Sequence, residues 1–129
     1  MLGYGASFVA QGTPADMAGL AAVIEEAIRY PGFAFVNVQS PCITYGQEDQ
    51  QLKAQKGVMQ PLASLGHDPA DRLKAMKLAT EYGTKLYTGV LYRSPEPPPT
   101  YEAEARDRQR EAQALARPKH EILEMFRPQ

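Results

Sequence analysis

The feature that most restricts the fold is a nearly unbroken apolar run, Phe33-Ala34-Phe35-Val36-Asn37-Val38, preceded by a helix signal and a second strand-like block. A strand of this composition suits a parallel sheet that is covered on both faces. Upstream, Gly5 through Ala10 combines small and β-branched residues and predicts another strand. Between the two, Thr13 is placed to cap a helix, Pro14 suits its first position, and Asp16 stands three residues after Thr13. Met17, Leu20, Ala21, Ile24 and Ile28 recur at helical spacing and predict one buried face. Glu25 and Glu26 fall off that face and are expected in solvent. Arg29 lies near the helix C-terminus, where its charge complements the dipole, and Pro31-Gly32 ends the helix. Strand, helix and strand over about thirty residues make a βαβ unit with a right-handed crossover. The fold class is therefore α/β, a partial parallel sheet with flanking helices.

Further along, residues 44–70 carry five glutamines, Gln47, Gln50, Gln51, Gln55 and Gln60, and little apolar periodicity. They are expected mainly as surface loop, with room for a short helix over 48–56. A capped helix is predicted from Asp68-Pro69 with Asp71 in its first turn, an apolar face of Leu73, Met76, Ala79 and Tyr82, and an end at Gly83. Leu86 to Tyr92 predicts a strand, with Gly89 marking a bulge or a close backbone approach. Ser94 to Pro99 is a stiff linker with few backbone donors. Residues 101–117 predict a polar helix with Glu102–Arg106 and Glu104–Arg108 at i,i+4. Pro118 breaks it, and Ile122, Leu123, Met125 and Phe126 form an apolar end that needs a surface to dock on. The expected organisation is an α/β portion over 1–95 and a linker with a helical tail over 96–129.

The 129 residues fit one domain, which buries roughly two thirds of its extended-chain surface on folding. Fourteen basic and 15 acidic residues give a net charge of -1, which offers no clustered cation for nucleic acid. No apolar stretch approaches a membrane span, and the first ten residues hold no Lys or Arg. One cysteine rules out a disulfide within the chain, so the expected setting is cytoplasmic.

Chemistry-bearing residues are few. Cys42 follows Ser40-Pro41, which forces an extended exit from the second strand. It therefore sits at the C-terminal tip of a parallel strand, the edge where open α/β sheets bind ligands. A buried cysteine acting as a small hydrophobe is the plain alternative. Such a thiolate suits iron–sulfur ligation, but those clusters need four ligands, and the remaining three would have to come from outside this chain. His67 and His120 stand in no metal-ligand spacing, and His67 is expected in solvent. Asp68 and Asp71 are explained as helix caps. Tyr82, Tyr87 and Tyr92 are expected as core or interface aromatics. A Cys42–His67 nucleophilic pair is a further alternative. No phosphate-binding glycine motif is present.

Three segments resemble one family. Gly5-Ala-Ser-Phe-Val-Ala-Gln-Gly12, then Gly32-Phe-Ala-Phe-Val-Asn-Val-Gln-Ser-Pro-Cys-Ile-Thr44, then Asp68-Pro-Ala-Asp-Arg-Leu73 with Leu86-Tyr-Thr-Gly-Val-Leu-Tyr92 are similar, in order and spacing, to the beta subunit of 2-oxoacid:ferredoxin oxidoreductases. The similarity covers roughly residues 3–95. It implies the C-terminal portion of a thiamine-diphosphate-binding fold. It also implies an enzyme that oxidatively decarboxylates a 2-oxoacid, such as pyruvate or 2-oxoglutarate, with coenzyme A to acyl-CoA, CO2 and reduced ferredoxin. The implied cofactors of the full enzyme are thiamine diphosphate with Mg2+ and a [4Fe-4S] cluster, and the implied partners are an alpha subunit and ferredoxin, with no nucleic acid and no membrane. Cys42 takes the place of the family's cluster ligand in the Ser-Pro-Cys turn, a metal- and cofactor-binding role, and no catalytic residue is implied. The family's Gly-Asp-Gly segment and its three other cluster cysteines are not in these residues, so the chain alone is expected to be inactive and to complete no cofactor. Tyr45-Gly46 stands where the family commonly has Phe-Asn. The alternatives are a non-catalytic structural or regulatory α/β domain that kept the fold only, and an unrelated thiol enzyme using Cys42.

Overall fold

The computed structural model describes residues 1–42, 44, 46–81 and 83–127. These divide into two compact units, Met1–Pro98 and Pro99–Gln129. Unit one holds strands β1 (Phe8–Gly12), β2 (Ala34–Val38), β3 (Met59–Pro61) and β4 (Leu86–Arg93), with helices α1 (Met17–Arg29), α2 (Glu48–Val58) and α3 (Arg72–Thr80). Among the described residues the sheet order is β2-β1-β4-β3. The expected βαβ unit is present: β1 and β2 run parallel, Phe8 opposite Ala34 and Gly12 opposite Val38, with α1 between them in sequence. β3 and β4 are also parallel, while β1 and β4 are antiparallel, so the sheet is parallel in two of its three pairings.

The sheet is covered on both faces, as the apolar run in β2 requires. On one face Phe8 and Ala10 pack with Leu20 and Val23 of α1, and Ala27, Tyr30, Ala34, Val36 and Val90 complete the layer. On the other, Val9, Leu91, Tyr87 and Tyr92 pack with Leu2, Ala6, Leu62 and Ala75. Phe8 is completely buried and its ring lies 5.2 Å from that of Tyr30.

The helix signals behave with shifts that have physical causes. Thr13 accepts a hydrogen bond from Ala15 N–H, but it caps a short 3-10 turn (Pro14–Asp16), and Asp16 caps α1 by accepting from Gly19 N–H. The face of α1 expected to be buried is rotated. Leu20 is buried as expected, but Met17, Ile24 and Ile28 are 65%, 39% and 79% exposed, and Val23 and Ala27 meet the sheet in their place. Two contacts set this rotation. Gly12 leaves room for Leu20, since a Cβ there would lie 2.8 Å from Leu20 Cδ1. Glu26, expected in solvent, pairs with Arg93, whose guanidinium also lies 5.6 Å from the Phe8 ring centre. Glu25 pairs with Arg29 at 2.6 Å.

α3 also turns a different face inward. It starts later than expected, at Arg72, capped by Asp71, which accepts from Lys74 N–H; Asp68 instead accepts from Ala70 N–H in the preceding turn. Leu73 is 78% exposed, while Ala75 is fully buried and Leu78 packs beside it. Tyr82 lies outside the described residues. Arg72 fixes the face by donating to the carbonyls of Leu2 (2.9 Å) and Ala6 (3.2 Å) and stacking 4.2 Å from the Tyr92 ring centre.

The bulge foreseen near Gly89 exists. Val9 pairs with Tyr92 and Ala10 with Val90, so Leu91 is the extra residue of β4. Gly89 itself has φ 113, a conformation that favours glycine.

The second unit contains α4 (Tyr101–Leu115) and α5 (Lys119–Met125), either side of the break at Pro118. Thr100 caps α4, Glu104 and Arg108 pair at 3.2 Å, and Arg106 donates to the Glu102 carbonyl rather than to its carboxylate. Leu123, Met125 and Phe126 remain exposed.

Candidate functional site

Cys42 lies where the sequence puts it, just past the C-terminal tip of β2, and it is exposed rather than packed in the core. The chain leaves β2 through Gln39, whose N–H donates to Gly12 C=O at 2.9 Å and so extends the β1–β2 ladder by one bond. Ile43 and Tyr45 lie outside the described residues.

The glutamine-rich segment is the main correction to the sequence reading. The short helix for which 48–56 had room is present as α2, but the rest is not surface loop: β3 follows directly, then a 3-10 turn (Leu62–Leu65) whose Leu62 is buried. Two of its glutamines, one helical turn apart, hold the Gln39–Cys42 segment. Gln51 Oε1 accepts from Cys42 N–H at 2.8 Å, and Gln51 Nε2 donates to Cys42 C=O at 3.2 Å. Gln55 Nε2 donates to Gln39 C=O at 3.0 Å, and Gln55 Oε1 accepts from Thr13 Oγ1. Sequence reasoning missed both because α2 has weak apolar periodicity. The i,i+4 spacing of Gln51 and Gln55 was the one available signal.

A cavity of about 570 Å³ opens beside this segment, with Gln39, Gln55, Val9 and Phe35 among its walls. Gln11 and Asn37, side by side on β1 and β2, give it a polar floor. Asn37 Nδ2 donates to Gln11 Oε1 at 2.7 Å, and Gln11 Nε2 donates to Tyr87 C=O at 2.8 Å. Tyr87 and Lys85 also line the cavity; the Tyr87 hydroxyl donates to the Glu81 carboxylate at 2.6 Å, and Lys85 pairs with the same oxygen at 3.2 Å. The Tyr87 bond first, and Lys85 second, hold the Glu81 carboxyl below its ordinary pKa. Glu81 in turn raises that of Lys85.

His67, expected in solvent, is partly buried and structural. Its Nε2 lies 2.7 Å from the carbonyl of Leu91, the extra residue of the bulge. A carbonyl only accepts, so Nε2 carries the proton. With Nε2 engaged in this way, the lone pair of the ring is on Nδ1, which is buried. His120 lies in α5, in the second unit. Tyr87 and Tyr92 are buried, as expected of core aromatics. Among the described residues no three His, Cys, Asp or Glu side chains gather in a way that could hold a metal ion. No helix of the described residues is long and apolar enough to cross a membrane.

Comparison with known proteins gives one family. The chain is 28% identical over 113 residues to the 2-oxoacid:ferredoxin oxidoreductase subunit beta of Saccharolobus solfataricus, a match covering 81% of this chain and 37% of that protein. A solved structure of the 2-oxoglutarate:ferredoxin oxidoreductase from Magnetococcus marinus, with 2-oxoglutarate, coenzyme A and succinyl-CoA bound, superposes with a TM-score of 0.78 at 31% identity. That match covers 98% of this chain and 43% of the solved one. The chain thus spans less than half the length of these relatives. The family defined by the C-terminal region of the pyruvate ferredoxin oxidoreductase beta subunit matches residues 42–109, starting at Cys42 itself. With more than half of its length inside that match, the chain belongs to the beta-subunit family of the 2-oxoacid:ferredoxin oxidoreductases, in its C-terminal part.

Proposed function

We propose that this chain is the part of a 2-oxoacid:ferredoxin oxidoreductase that supplies one thiolate, Cys42, to an iron–sulfur cluster. The reaction is the oxidative decarboxylation of a 2-oxoacid with coenzyme A. The bond between the carboxylate and the 2-oxo carbon breaks and CO2 leaves, the acyl carbon forms a thioester as the coenzyme A thiol gives up its proton to solvent, and the two electrons released pass one at a time to ferredoxin. The observation that carries the reading is the exposed Cys42 at the strand tip where the family's match begins.

The donor set fits one ligand and no more. Cysteine thiolate is the usual ligand of [4Fe-4S] clusters, and four are needed. With Cys42 the only cysteine, the other three belong to residues outside this sequence. The chain contains no Gly-Asp-Gly segment, so it offers no corresponding hold for thiamine diphosphate and Mg2+. When bound, the cluster accepts and passes on single electrons. Within this chain the work is to hold Cys42 at the sheet edge.

Residues 1–95 are assigned to the C-terminal portion of the thiamine-diphosphate-type domain. Residues 96–129 are assigned to a linker and a tail that contacts the alpha subunit. The exposed side chains of Leu123, Met125 and Phe126 support the second assignment.

The test is the iron and acid-labile sulfide content of the full-length protein that contains this chain, purified with its partner without oxygen, beside Cys42→Ala. The partner's own iron is measured separately. About four iron atoms lost per copy in the variant supports ligation. Unchanged iron makes Cys42 a residue of the turn only, and favours a domain that kept the fold without the cluster.

A further inference from the structure

We infer that Gln51 is a positioning residue for Cys42, and that Gly46 is glycine in order to let it act. The inference rests on the reading of Cys42 as a cluster ligand and adds how the chain presents that ligand.

One planar amide engages both peptide groups of one residue. Gln51 Oε1 takes the Cys42 N–H and Gln51 Nε2 gives a proton to the Cys42 carbonyl, at 2.8 and 3.2 Å. This is the pairing a neighbouring strand would make, supplied by a side chain. It stands where β2 has ended and no strand continues. One helical turn along, Gln55 holds Gln39, and it is itself held by Thr13 at the end of β1. The two glutamines therefore tie both ends of the Gln39-Ser-Pro-Cys42 segment to the rigid face of α2. Pro41 fixes one backbone angle between them. The backbone from which the Cys42 sulfur is aimed is thereby set. A ligand ordered before binding loses less entropy when it binds.

Gly46 gives the second, independent observation. A Cβ on Gly46 would lie 2.2 Å from Gln51 Nε2, far inside contact distance. Any other residue there must push the Gln51 amide off Cys42. The atom displaced is the end of a flexible side chain, so the substitution disturbs the clamp with little effect on the fold. Gln50 Nε2, by contrast, donates to Gln47 Oε1 at the start of the same helix, and Gln50 serves as the control.

The experiment uses the full-length protein with its partner, made without oxygen, in four variants: Gln51→Leu, Gly46→Ala, Gln50→Leu and Cys42→Ala. Each is loaded with iron and sulfide, and two properties are read. One is the rate of iron loss to a chelator. The other is the electron paramagnetic resonance spectrum of the reduced cluster, which reports ligand geometry and is blind to simple loss of stability. Amide exchange at Cys42 reads the clamp directly. Two neutral hydrogen bonds in the lower half of their usual range correspond to about a tenfold change. The expected result is iron loss about tenfold faster, a changed spectrum and faster Cys42 exchange in both Gln51→Leu and Gly46→Ala, with Gln50→Leu like the parent. Parental behaviour in either clamp variant, alongside iron lost in Cys42→Ala, overturns the positioning role and leaves the ligand assignment standing. Iron retained in Cys42→Ala overturns the ligand assignment itself, and this role with it.

Discussion

Replacing Arg72 with Met keeps the aliphatic stem and removes the guanidinium that ties α3 to the first residues of the chain. Two charge-assisted hydrogen bonds are lost, to Leu2 C=O at 2.9 Å and Ala6 C=O at 3.2 Å. Bonds of this type contribute roughly 1.5–3 kcal/mol each. The guanidinium 4.2 Å from the Tyr92 ring centre adds roughly 0.5–1 kcal/mol. Arg72 is half-buried, so water replaces part of what is removed, and the sum falls slightly below the lower ends. The expected loss is about 3 kcal/mol, a large share of the roughly 5–15 kcal/mol that a domain possesses. Urea unfolding followed by circular dichroism should move its midpoint down by roughly 1.5 M, for a slope of roughly 2 kcal/mol per molar. Arg72→Lys should recover less than half, because one ammonium cannot span two carbonyls in the fixed fork of a guanidinium. Tyr92 supplies an internal check. Hydrogen bonding from Arg72 is the largest influence holding its phenol below the ordinary pKa, so its ultraviolet titration should move to higher pH in Arg72→Met. A midpoint unchanged within about 0.3 M, or full recovery by Lys, would refute the argument that the fork orients α3.

Two further outcomes follow from the same structure. His67→Leu leaves the carbonyl of the bulge residue Leu91 without its partner and should cost roughly 1–3 kcal/mol in thermal or urea unfolding; an unaffected melt would mean that the bulge is satisfied another way. Tyr87→Phe removes the strongest influence lowering the Glu81 pKa, which should rise toward its ordinary value in a carbon-detected NMR titration. The sign follows from linkage. A carboxyl whose folded pKa lies below its unfolded one adds stability that is complete above the unfolded pKa of 4.5 and is lost as pH falls through the folded value. The parent should therefore lose more stability between pH 5 and acid than Tyr87→Phe, and equal slopes would contradict the bond's role.

Much of the architecture was legible in the sequence because it is set by short-range rules. The strands at Phe8–Gly12, Ala34–Val38 and Leu86–Arg93 follow from apolar runs bounded by Gly and Pro, and Asp71 caps its helix because a carboxylate suits the free N–H groups there. Cys42 was placed correctly because Ser40-Pro41 forces an extended exit from β2. Helix faces were less legible. Spacing predicted Leu20 inward, correctly, together with Met17, Ile24 and Ile28, but helical periodicity supports more than one apolar stripe on α1, and the space left by Gly12 with the Glu26–Arg93 pair selects the stripe of Leu20, Val23 and Ala27.

The sequence by itself determined the βαβ unit, the location of the single thiol at a sheet edge, the break at Pro118 and the family, since each rests on residues close together in the chain. Only the tertiary structure decided that β4 enters antiparallel beside β1, that His67 serves the Leu91 carbonyl 24 residues away, and that a polar, weakly periodic segment folds into the helix whose Gln51 and Gln55 hold the Cys42 turn. The reason is physical. Those choices depend on which unpaired backbone groups meet which side chains after the chain has closed on itself, and no local pattern of residues records that meeting.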